Sequence, residues 1–256
     1  LVVPLHRVAT VESAGVVLPP EWAELKARFD NLAALRDECP MLARLTDAVL
    51  PGDTSADIPQ LRALALAEAS RIGTEQVTNH VRRHVFEKLR ALYGPAAPKN
   101  YRAIAQRFDK AAKEFSDAAA LADPEADPAT MIDQPDKVRK AWLSAELLAS
   151  ELTRLVAPLS AAAALCGVKG VNREPVQLAL VCDPGRAHRR RAWEAFLCRT
   201  GRCGKWAALR RLNIPIRAYP AEGLGNFEAY REPRPVEHRE EQIPGRPFGF
   251  VRTVHN

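Results

Sequence analysis

The sequence predicts a mainly α protein: a helical bundle, then a small basic α/β module of β-α-β type, then an extended Pro-rich tail. Three observations carry this expectation. The apolar fraction of 47% rests on Ala and Leu, with aromatics at only 6%, which suits close-packed helices better than sheets built from β-branched and aromatic side chains. Apolar residues recur at three- and four-residue steps through the first two thirds of the chain. The charge then changes character near Gly167. Residues 1–166 hold 20 basic and 22 acidic side chains, whereas residues 167–256 hold 17 basic and 9 acidic ones.

Residues 1–20 read as an extended N-terminal arm, because Pro19-Pro20 bars a helix until Glu21. The helical bundle is expected over residues 21–166. Trp22, Leu25, Phe29 and Leu32 mark a first stripe that ends at Cys39-Pro40, and residues 41–50 form a short helix closed by Pro51-Gly52. Asp57 caps the next helix, with Pro59 in its first turn and Gln60 three residues after the cap. Thr74 caps a fourth helix with Val77, Val81, Val85, Leu89 and Leu92 on one side, and Asn100 caps a fifth with Ile104, Phe108, Ala112, Phe115 and Ala119. A Pro-broken acidic loop at residues 123–128 precedes a sixth. There Val138, Trp142, Ala145, Leu148, Leu152, Leu155 and Leu159 make a heptad-like seam.

The basic module is expected over residues 167–220. The run VQLALV at residues 176–181 has the length of a buried strand, residues 186–212 read as two helices divided around residues 200–204, and residues 214–219 form a second strand. Residues 221–256 alternate prolines with charges and are expected to form the tail.

Ten of the thirty-two residues from 186 to 217 are basic, against the single acid Glu194. Clustered arginines and lysines of one sign are the footprint of a polyanion partner, and Arg adds bidentate recognition of phosphate. Arg186, Arg189, Arg190, Arg191, Arg199, Arg202, Lys205, Arg210 and Arg211 are therefore the expected nucleic-acid contacts. The opposing expectation is a basic surface that docks onto acids of the same chain, for which Asp123, Glu125 and Asp127 are the candidates. Cys182, His188, Cys198 and Cys203 fall within twenty-two residues and could close around zinc as a Cys₃His set. Their spacings of five, nine and four intervening residues include no C-x₂-C knuckle, so buried thiols are the expected outcome and no cofactor is expected. His80 and His84 stand four apart, but the two arginines between them disfavour a divalent cation.

Catalytic signatures are missing from the sequence. Residues 201–206 lack the spacing and the Ser or Thr of a P-loop, and neither G-x-S-x-G nor G-x-G-x-x-G occurs. Asp183 precedes Pro184-Gly185 and reads as a turn or helix cap rather than a nuclease carboxylate. Five scattered cysteines do not form a disulfide framework and suggest reduced thiols in the cytoplasm. The expectation is a non-enzymatic nucleic-acid-binding subunit or accessory protein, its basic module on phosphate and its bundle on other protein subunits, away from membranes. The alternative is a structural or assembly protein of a multi-subunit particle that contacts neighbours through its terminal arms.

Overall fold

The computed structural model describes residues 2–34, 41, 44–45, 57–69, 83–185, 187–233, 238–242 and 251–255. It is mainly helical, and the chain divides into two compact units, residues 1–100 and 101–256. This division falls inside the expected bundle rather than at Gly167.

The first unit contains α1 (Val2–Ser13), α2 (Pro20–Ala34), α3 (Ile58–Ala69) and the helical residues 83–93, here α4. Residues 2–13 are thus helical where an extended arm was expected. Pro4 lies in the first turn, where its missing N–H has no helical partner to lose. Val8 and Val11 on this helix are buried. Asp57 caps α3 as its position suggests, its carboxylate accepting from the Gln60 amide at 3.0 Å. Thr74, Val77, His80 and Val81 lie outside the described residues. Asn100 does not cap a helix. A 3₁₀ turn at Gly94–Ala96 runs directly into α5 (Ala97–Leu121), so Asn100 already sits within the helix. Its buried side chain donates to the Tyr93 hydroxyl at 3.2 Å.

The second unit is organised by α5 and α7 (Asp136–Leu165), with the short α6 (Pro128–Met131) between them. The expected α5 face is the buried one: Ile104, Phe108, Ala112 and Phe115 are all at most 2% exposed. On α7 the seam shifts by one residue in its first half. The buried row is Ala141, Ala145, Ala149, Leu152, Leu155 and Leu159, while Val138, Trp142 and Leu148 are only half-buried. By length and composition α7 could cross a membrane, yet 56% of its most apolar window is buried within the protein, as in the core helix of a globular unit.

The run at residues 176–181, expected as a strand, belongs to α8 (Glu174–Val181), which packs on α7. Pro175 at the first turn and Glu174 near the positive helix end start a helix there. The β-α-β unit is therefore not formed. Residues 214–219 instead run antiparallel beside the end of α8 through a single bridge, Cys182 to Ile216. The hydrogen bonds Asp183 N–H to Pro215 O (2.9 Å) and Arg217 N–H to Val181 O (3.0 Å) fix them. Helices α9 (Arg189–Leu197) and α10 (Lys205–Arg211) pack against each other and are broken apart where expected. In the tail, a 3₁₀ helix spans Ala221–Asn226, and β1 (His238–Gln242) pairs antiparallel with β2 (Val251–His255), so that part is not simply extended.

Candidate nucleic-acid interface

The ten basic residues of the 186–217 segment separate into groups once their surroundings are known. Three are tied to carboxylates. Arg202 donates to Glu146 at 2.9 Å and to the Pro124 carbonyl at 3.1 Å, and its guanidinium carbon lies 3.4 Å above the Trp142 ring. Arg211 pairs with Asp123 at 3.7 Å, and Arg217 pairs with Asp183. Arg210 donates to the Asn213 side-chain oxygen at 3.3 Å. Lys205 is half-buried, its ammonium 4.6 Å from the Phe196 ring centre and 4.8 Å from that of Trp206. Arg190 is half-buried and engaged in an interaction of its own. Arg189, Arg191 and Arg199 are exposed, and among the described residues none has a carboxylate partner. Arg186 lies outside the described residues.

The opposing expectation, docking onto acids of the same chain, thus holds for part of the segment. Its centre is Glu125. One of its carboxylate oxygens accepts from the Arg202 amide at 2.9 Å and the other from the Cys203 amide at 2.7 Å. The loop at residues 198–204 wraps this carboxylate so closely that a Cβ on Gly201 would lie 2.1 Å from it, and Gly201 also has φ of +87°. Asp123 pairs with Arg211, whereas Asp127 caps α6 by accepting from the Ala129 amide at 2.8 Å. The pairing of Glu125 with this loop was signalled only by composition, because the acid and the amides are some 77 residues apart.

The four candidate zinc ligands are not brought together. Among the described residues no group of three or more His, Cys, Asp or Glu side chains is placed to hold a metal. Cys182 is buried and its thiol donates to the Leu178 carbonyl at 3.2 Å, the internal bond of a helix end. Cys203 is buried beside Pro124, and Cys198 faces Thr200. His188 forms the N-cap position of α9 without a side-chain hydrogen bond. Burial pushes the Cys182 thiol up to about 12 and the Cys203 thiol up to about 11. Asp183 makes an Asx turn with the Gly185 amide at 3.1 Å rather than capping α9.

Two further features border α9. The Trp193 and Tyr230 rings lie parallel within 3° at 6.3 Å between centres, and the Tyr230 hydroxyl donates to the Arg189 carbonyl at 2.8 Å. Sequence reading missed Tyr230, since nothing local links it to α9. No family model matches the chain, and neither a curated protein nor a solved structure resembles it significantly.

Proposed function

We propose that this protein is a non-enzymatic nucleic-acid-binding subunit or accessory protein, and that the exposed arginines of the first turn of α9 contact the phosphates of the nucleic acid. The observation that carries this reading is that Arg189 and Arg191 are exposed on one short helix with no carboxylate partner among the described residues, while neighbouring arginines are neutralised within the chain. Unneutralised guanidinium groups on a rigid element are suited to displacing condensed counterions from a phosphate backbone. Arg202 and Arg211 are reassigned from contact to scaffold, because each is already held by an acid of the chain. The Trp193–Tyr230 pair beside Arg189 adds a flat apolar surface of the kind on which bases stack.

Titration against a generic duplex and a generic single strand at several salt concentrations tests the reading. Log K should fall linearly with log salt. Replacing Arg189 and Arg191 together with Ala should lower the slope by about 2 and weaken binding evenly across sequences. Absence of binding at low salt, or a slope untouched by the double replacement, removes the proposal.

A further inference from the structure

A second cationic feature uses other residues than Arg189 and Arg191. A solvent-open cleft of about 360 Å³ lies between residues 149–153 of α7 and residues 198–206. Arg199 and Lys205 both line it, and among the described residues neither has a carboxylate partner. The α7 wall is uncharged, made of Ala149, Ser150 and Thr153. The Thr153 hydroxyl is already used: it accepts from the Trp206 indole at 2.8 Å and donates to the Ala149 carbonyl at 2.8 Å. Arg202 also borders the cleft, but its charge is met by Glu146.

We propose that this cleft binds the phosphate group of a phosphorylated ligand, held between the Lys205 ammonium and the Arg199 guanidinium. Two like charges on one concave surface repel each other, and a dianion between them reverses the sign of that interaction. Lys205 already carries the mark of this frustration. Burial, with repulsion from Arg199 added, brings its amine down to about 8, while the Cys182 thiol opposes the shift only weakly. A bound phosphate stabilises the protonated amine and must raise that value. The Lys205 ammonium itself lies against the Phe196 and Trp206 rings, so the charge is positioned before the ligand arrives. A phosphate monoester, as a dianion, and an internal phosphodiester, as a monoanion, both offer anionic oxygens to this pair of cations. Arg189 and Arg191 do not line the cleft, so it stands or falls separately from the nucleic-acid reading.

Calorimetric titration of the full chain with inorganic pyrophosphate is the test. We expect saturable one-to-one binding, weakened at least tenfold by Lys205→Met and by Arg199→Ala, and unchanged by Arg189→Ala. At pH 8, binding should also take up protons in the unaltered protein, seen as a dependence of the heat on buffer ionisation enthalpy. This readout needs no variant to fold. Competition by single strands with and without a 5′-phosphate then separates the sources: competition by the phosphorylated strand alone marks a monoester, and equal competition marks a diester. Failure of pyrophosphate to bind, or equal binding by folded Lys205→Met, overturns the proposal even if polynucleotides bind. Pyrophosphate binding without polynucleotide binding keeps the cleft and removes the nucleic-acid reading.

Discussion

At the scale of single residues, the junction between Glu125 and Gly201 carries much of the architecture of the basic segment. A carboxylate held by two amides is a charge-assisted arrangement, and its removal leaves two N–H donors without their acceptor. Glu125→Ala should cost about 3 kcal/mol in urea unfolding, and Glu125→Gln less, because one acceptor oxygen survives. Gly201→Ala should cost about 1–3 kcal/mol, since its left-handed backbone and the nearby carboxylate both resist a Cβ. In the double replacement the clash disappears, so the two costs should sum to less than their separate values. Lys205 gives a prediction of opposite sign. Its folded value of about 8 lies below that of an unfolded lysine, so the unfolded chain binds more protons between pH 8 and about 10.4. Lys205 therefore destabilises the fold below pH 8, and this penalty fades as pH rises through that window. Lys205→Met should be more stable than the unaltered protein at pH 7, with the gap closing toward pH 10. The buried thiols act the other way: their raised values make the fold lose stability as pH rises past the ordinary thiol range. Comparison of the two proteins at each pH largely cancels that contribution and leaves the lysine.

Elements show which parts of the fold were legible. Helices α2, α5 and α7 follow from stripes at three- and four-residue steps bounded by prolines, and α3 from the cap at Asp57 with Pro59 in its first turn. The break between α9 and α10 follows from Gly201 and Gly204. The run at residues 176–181 could not be decided the same way, because six mostly apolar residues are too few to separate a helical period from a strand's alternation. Only Glu174-Pro175 at its start pointed to a helix. The small-residue row on α7 was equally hidden, since Trp142 and Leu148 carry more apolar weight in the sequence than Ala141 and Ala149 while the packing prefers the alanines. The candidate interface was legible as charge but not as arrangement. Whether an arginine is neutralised depends on acids far along the chain, as with Glu146 for Arg202 and Asp123 for Arg211. Helix α7 also holds Ser160, buried with a hydroxyl that has no hydrogen-bond partner among the described residues. Ser160→Ala removes that unmet group and improves helix propensity, so it should raise stability by about 1 kcal/mol, measured as a higher urea midpoint at constant slope.

On the scale of the whole molecule, the division at residue 100 makes a prediction that neither charge nor motif contains. Each unit contains buried apolar side chains: Val8, Val11, Trp22, Ala65 and Leu89 in the first, and the α5 and α7 rows with Trp206 and Leu209 in the second. Chains built from separate compact units commonly unfold in more than one step. The four tryptophans are distributed usefully, with Trp22 in the first unit and Trp142, Trp193 and Trp206 in the second. Urea unfolding followed by tryptophan fluorescence should therefore show two transitions. Trp22→Phe should abolish the fluorescence change of one while leaving the midpoint of the other unmoved. Glu125→Ala, whose contacts lie wholly in the second unit, should shift only the transition that survives in Trp22→Phe. A single transition that both replacements shift together would mean that the units unfold as one cooperative body, and the basic segment would then draw its stability from the entire chain rather than from the α5–α7 core beneath it.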